Sequence, residues 1–212
     1  MAIDNRALVA VSAGLSQPSA TRLLADRLVA ATDRILRGSG VTPRVEIIEL
    51  RDHAQDLTNH LLTGVPSSRL RDAIDAVVAA DGLIAVSPIF SASYSGLFKM
   101  FFDVLERDGL IGMPVLIAAT GGSGRHSLVL DHALRPLFTY LGAAVMPTGV
   151  FAASEDWGEG DPTADDALVD RIARAARELA TAVTARAPHE ATDPFDNPTP
   201  FAELLAGGRT RP

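Results

Sequence analysis

Three segments of this 212-residue chain gather small hydroxyl side chains and glycines where short apolar runs end. In the first, SAGLSQPSAT (12–21), Ser12, Ser16, Ser19 and Thr21 stand around Gly14, just ahead of a stretch with helical spacing. Hydroxyls and free N–H groups at the positive end of a helix suit a phosphate. The segment has neither the Lys of a P-loop nor the spacing of G-x-G-x-x-G, which disfavours Mg-nucleotide hydrolysis. A plainer role is open to Ser19, as the N-cap of that helix. The second segment, SPIFSASYSG (87–96), reads as a Ser-Pro turn out of an apolar run: Pro88 sets the exit, Ile89 and Phe90 offer apolar surface, and Ser91 opens a donor-rich stretch. The third, TGGSGRHS (120–127), combines Thr120, Gly121, Gly122 and Ser123, a backbone bare enough to approach a flat ring with N–H groups aimed at its polar edge.

These segments can act together only if the fold brings them to one place. Val-, Ile- and Leu-rich runs at 7–13, 44–50, 82–87, 113–120 and 143–152 alternate with helical patterns at 19–36, 67–81, after 96, at about 125–141 and within 163–186. In the first helix, Leu23, Leu24, Leu28 and Ile35 are expected on one side. Strands apolar throughout, rather than alternating, are covered on both faces, as in a parallel sheet between two helical layers. Five βα repeats imply a flavodoxin-like, doubly wound α/β sheet of order 2-1-3-4-5. Ligands bind such sheets at the carboxyl ends of the strands, beside the switch in strand order, here between strands 1 and 3. All three segments converge there. A phosphate cradle, an apolar wall and a donor-lined edge together describe FMN.

Composition narrows the alternatives. With 47% hydrophobic and 21% charged residues the chain reads as an ordinary globular protein, and its net charge of −7 argues against nucleic acid as a partner. Cysteine is absent, which excludes disulfides and thiolate chemistry. His53, His60, His126, His132 and His189 lack metal-ligand spacing, so no metal site is expected, and no G-x-S-x-G elbow supports a hydrolase. No long apolar run suggests secretion or a membrane span, and the cytoplasm is the default. DHAQDL (52–57) and EDWGEGD (155–161) read as solvent-facing acidic loops, with Trp157 a candidate cover for the nicotinamide side. Arg125 and His126 read as surface residues beside the third segment.

The segments SPIFSASYSGLFKMFFD and IAATGGSGRHSLVLDHALRPLFTYLGAAVMPTGVFA resemble the NADPH-dependent FMN reductases, particularly the branch that supplies reduced flavin to sulfonate monooxygenases. The likeness spans about residues 7–186, and PTPFAELLAG near the C-terminus is similar to an actinobacterial subgroup. It implies a flavodoxin-like fold, FMN as cofactor or exchanging substrate, NADPH or NADH as hydride donor, a partner monooxygenase and a homodimer or homotetramer. It also implies that His132 lies on a helix used in subunit packing. One departure stands out: where many relatives carry an Arg in the first loop, this chain has Ser16 and Gln17.

Two units are expected, a flavodoxin-like domain (1–186) and a Pro-rich tail (187–212) whose Phe201, Leu204 and Leu205 could dock on another subunit. The flavin performs the chemistry, so no catalytic acid or base is assigned. Competing readings on the same scaffold are a quinone or azo reductase with retained FMN, and a flavodoxin-type electron carrier. Carriers surround the ring with aromatics, whereas this chain has one Trp and two Tyr.

Overall fold

A computed structural model describes residues 4–106, 108–157 and 162–187, with side chains of the last helix described from 167 onward. The chain runs β1 (Asp4–Ser12), α1 (Ala20–Gly38), β2 (Val41–Glu49), a 3₁₀ turn (Leu50–His53), α2 (Ala54–Thr63), α3 (Ser68–Val78), β3 (Gly82–Phe90) and β4 (Ser93–Tyr94). It continues through α4 (Gly96–Asp103), β5 (Pro114–Gly121), α5 (Arg135–Tyr140), β6 (Ala144–Val145), β7 (Val150–Ala153) and α6 (Pro162–Ala185). The sheet order is β2-β1-β3-β5-β6, with β7 also paired to β5, all parallel; β4 alone is antiparallel, against β3. This is the doubly wound order, with its switch between β1 and β3.

Successive strand side chains point to opposite faces, and here both faces are covered. Leu8, Ala10, Ile84, Leu116 and Ala118 pack beneath α1 and α6. Val9, Val11, Leu83, Val115 and Ile117 pack beneath α3, α4 and α5. A Phe cluster anchors the second layer, with Phe102 ring centroids 4.7 Å from Phe98 and 4.8 Å from Phe138. Ser19 caps α1, its Oγ accepting from Arg22 N–H at 3.2 Å. The stripe that α1 buries is Thr21, Leu24, Ala25, Leu28, Val29, Thr32 and Leu36. Leu23 is rotated off it and is 45% exposed.

Four local expectations need correction. Ser87–Pro88 is not a turn, because β3 continues to Phe90 and the chain reverses at Ser91–Ala92, where φ is 50° and 66°. The strand expected at 143–152 is divided into β6 and β7. Pro147 has no N–H to give the ladder, and Thr148 turns both its N–H (2.8 Å) and its hydroxyl (2.7 Å) to the Glu178 carboxylate. The helix expected at 125–141 is broken into a 3₁₀ turn (Gly124–His126), a π-turn (Leu130–Leu134) and the short α5. DHAQDL is not a loop: it forms the 3₁₀ turn and the start of α2, with His53 and Leu57 buried. The tail from 188 lies outside the described residues. Among the described residues no helix is long and apolar enough to cross a membrane.

Leu57 is the one fully enclosed side chain that α2 contributes. Leu57→Ala should therefore destabilise the fold by about 2–5 kcal/mol in urea unfolding, as for other buried leucines. A loss below about 0.5 kcal/mol, the range of surface substitutions, would show that α2 is not anchored through Leu57.

Candidate active site at the carboxyl edge of the sheet

Strand register brings Pro88 of β3 beside Thr120 of β5, and Thr120 beside Ala152 of β7. Ala152 packs with the α1/α6 core, so the pleat places this row on the face beneath the start of α1. The hydroxyls of Thr21 and Thr120 lie 2.8 Å apart, tying the first turn of α1 to the end of β5. Beside this pair opens a cavity of about 490 Å³.

The cavity is lined from four directions. The first loop and α1 contribute Leu15, Ser16, Ser19, Ala20 and Thr21, and the end of β3 contributes Pro88, Ile89 and Phe90. Thr120, Gly121 and Gly122 come from β5 and its exit, and Ala152, Ser154 and Trp157 from the end of β7. Three of the expected residues do not line it. Ser12 is buried beneath the first loop, 1% exposed, and its Oγ has no hydrogen-bond partner. Ser91 sits in the hairpin reversal, and Ser123 leads into the 3₁₀ turn beyond the lining.

Close approaches shape the loops. A Cβ on Gly14 would lie 2.1 Å from Ser19 Oγ, so the first loop closes on its own capping hydroxyl. A Cβ on Gly121 would lie 2.9 Å from the Phe151 ring, whereas one on Gly122 would meet nothing within 4 Å. The backbone at Gly122 therefore faces open space, without a left-handed φ. The serines flanking the hairpin serve the fold: Ser87 Oγ accepts from Ser95 N–H (2.9 Å), and Ser95 Oγ caps α4 through Phe98 N–H (3.2 Å).

Of the second acidic segment, residues 155–157 are described and 158–161 lie outside the described residues; Glu155 is exposed as expected, while Asp156 and Trp157 are partly buried. The described part belongs to a 3₁₀ turn (Ser154–Trp157) in which Asp156 accepts from Ala153 N–H (2.8 Å) and pairs with Arg171 of α6 (2.7 Å). Glu155 accepts from Gly124 N–H at 3.3 Å, linking this turn to the loop after β5. Trp157 is held against the cavity with Arg27 5.1 Å from its ring centroid, a cation–π distance. A lone Trp inside an acidic stretch was the only sequence signal of this wall. Among the described residues the lining offers hydroxyls, backbone N–H groups and apolar surface, with no carboxylate, imidazole or amine. Such a surface binds and orients a reactive group. The hydroxyl donors and the open Gly122 backbone suit a phosphorylated flat heterocycle.

Comparison with known proteins leads to the same chemistry. Residues 7–158 match the family of NADPH-dependent FMN reductases. An FMN reductase (NADPH) from Pseudomonas aeruginosa is 41% identical over 150 residues, covering 71% of this chain and 78% of its own length. The NADH-dependent FMN reductase SfnF of Pseudomonas fluorescens is 40% identical over 174 residues, 82% of this chain and 89% of that protein. Among solved structures, an oxidoreductase from Corynebacterium diphtheriae is 49% identical with a TM-score of 0.82, covering 86% of this chain and 98% of that one. The apo NADH:FMN oxidoreductase EMOB is 30% identical with a TM-score of 0.70, covering 91% and 100%.

The two neighbouring glycines should separate binding from folding. Gly122→Val places its bulk in the cavity and should weaken FMN binding about tenfold or more with an unchanged melting temperature, because nothing in the fold opposes it. Gly121→Val presses on Phe151 and should cost about 1–3 kcal/mol of stability, as overpacking does. Normal FMN affinity in a folded Gly122→Val protein would remove Gly122 from the flavin edge.

Proposed function

The chain belongs to the NADPH-dependent FMN reductase family, and from that premise we propose how its cavity serves the reaction. The protein is an NAD(P)H:FMN oxidoreductase that passes a hydride from a reduced nicotinamide to FMN. Bound flavin supplies the hydride-accepting ring; the chain supplies binding, orientation and electrostatics. Ser16, Ser19 and Thr21, with the N–H groups that open α1, hold the terminal phosphate. Pro88, Ile89 and Phe90 flank the ring and ribityl chain. Thr120, Gly121 and Gly122 donate to the polar edge, and Trp157 closes the β7 side. Ser12, Ser91 and Ser123 stand outside this set.

The observation that carries this reading is the meeting of a hydroxyl-rich helix start, an apolar strand end and a side-chain-free strand end around one cavity. Two of its apolar walls are half-open to solvent, Leu15 at 55% and Phe90 at 48%. This supports FMN as an exchanging substrate, released reduced to a flavin-dependent monooxygenase in the cytoplasm.

Steady-state oxidation of NADH and NADPH, with and without added FMN, tests the proposal. Turnover should require added FMN, and FMN should bind more tightly than riboflavin. Turnover of a quinone by protein that retains its flavin would overturn the exchanging-substrate reading. Because Trp157 is the only tryptophan in the chain, saturating FMN should quench its emission. Unquenched emission would place the flavin elsewhere.

The assembly proposed is a homodimer or homotetramer with the 187–212 tail as an inter-subunit arm. Exposed Leu128, Ile111 and Tyr140 support an apolar contact surface. Arg186 directly follows α6, its carbonyl accepting from the buried Arg6 guanidinium at 2.7 Å. Truncation after Arg186 keeps that bond and should weaken assembly in light scattering. A monomeric full-length protein ends the proposal.

A further inference from the structure

Arg51 lies in the 3₁₀ turn directly after β2, outside every segment that lines the cavity. Its guanidinium nevertheless reaches the first loop. Nη1 donates to the Ser16 carbonyl at 2.9 Å, and the Gln17 carboxamide, turned oxygen-first, accepts from Nη2 at 2.7 Å and Nη1 at 3.3 Å. Nη2 also pairs with Glu49 at 2.6 Å, and Glu49 in turn pairs with Arg22 of α1. One planar group thus joins the end of β2, the first loop and, through Glu49, the first helix. Lys could not make these contacts together, because its ammonium is a point charge rather than a fork.

An isolated exposed ion pair would contribute little. Arg51 differs in burial and in what it holds. Its side chain is 19% exposed, and its acceptors on the loop are a backbone carbonyl and a carboxamide. A peptide unit is planar, so fixing the Ser16 carbonyl also fixes the direction of the Gln17 N–H. Ser16 lines the cavity at its hydroxyl-rich end. This chain carries Ser16 and Gln17 in its first loop, with no cation between Ser12 and Thr21. The guanidinium arrives instead from the neighbouring strand, and Glu49 already balances it.

We infer that Arg51 is the positioning residue of the phosphate subsite: it locks the 13–19 loop from behind and thereby makes the site select phosphorylated flavin over riboflavin. The inference rests on the FMN reading above. Its action is through the loop, not by contact with the phosphate. Arg51 substitution should therefore move binding of FMN while leaving that of riboflavin, which lacks the phosphate, nearly unchanged.

The test uses the full-length protein, Arg51→Met and Arg51→Lys, with FMN and riboflavin each titrated by flavin fluorescence over a range of salt. Arg51→Met should weaken FMN by about tenfold or more and riboflavin by less than about twofold, raising KM for FMN at unchanged kcat. The salt dependence of FMN binding should keep its wild-type slope, and Arg51→Lys should bind FMN within about threefold of Arg51→Met. Equal weakening of both flavins would make Arg51 a general fold residue. A shallower salt slope in Arg51→Met would make it a direct phosphate ligand; either result overturns the inference. Should Arg51→Met fail to fold, Gln17→Leu removes one arm of the same fork and should show the same FMN-selective loss. Wild-type protein that binds riboflavin as tightly as FMN would defeat the phosphate reading itself, and is told apart because it appears before any substitution.

Discussion

The strands of the main sheet all run the same way, and the site follows from that constraint. Parallel pairing sends the carboxyl ends of β1, β3, β5 and β7 to one edge, and each chain leaving that edge must cross back over a face of the sheet. Crossovers diverge where the strand order reverses, between β1 and β3, which leaves a crevice instead of a covered edge. The Thr21–Thr120 hydroxyl pair then sets how far α1 stands from β5 across that crevice. Neither loop could hold a ligand alone. Together they line one cavity, with the Thr21–Thr120 pair tying its two walls.

What the sequence made legible were the features written in periodicity. Uniformly apolar runs marked the strands because the sheet is covered on both faces, and Ser19 announced the start of α1 because a cap is a local event. Features decided by partners far along the chain were not legible. α2 buries only Leu57 fully, too little to imprint a period on DHAQDLTNHLLT. The break between β6 and β7 depends on Glu178, thirty residues away in α6. The hairpin reversal at Ser91–Ala92 uses positive φ without glycine, so its usual signal is missing. Trp157 reaches the cavity from a segment that read as acidic and exposed, where Asp156 is engaged with Arg171. Arg51 reaches the first loop from the junction between the second strand and the first acidic segment.

Serine has two unrelated duties in this structure. Ser87 and Ser95 satisfy backbone N–H groups around the hairpin and the start of α4, and both are buried. Ser16 and Ser19 face the cavity. Clusters of small hydroxyl residues at strand-to-helix junctions therefore need to be divided before a ligand is inferred from them. The division is made by position against the cavity, since composition is identical in the two groups and Ser19 caps α1 just as Ser95 caps α4.

The contact between Gly14 and Ser19 has a consequence for how this loop can change over time. The space a β-carbon would take at position 14 is filled by the hydroxyl of residue 19. Alanine at 14 would push that hydroxyl off the start of α1 and forfeit a cap of about 1 kcal/mol. Losing the hydroxyl at 19 first would relieve the closest contact at 14, leaving Thr21 Cβ at 3.1 Å and the residue-19 Cβ at 3.2 Å, but only after the cap is gone. The two positions are therefore epistatic in one direction: a change at 14 depends on what stands at 19, whereas losing the hydroxyl at 19 costs the cap whatever stands at 14. Every single-step path between the two states passes through an uncapped helix. Among relatives, a side chain at the position of Gly14 should accompany either a residue without a hydroxyl at the position of Ser19 or a loop of different length.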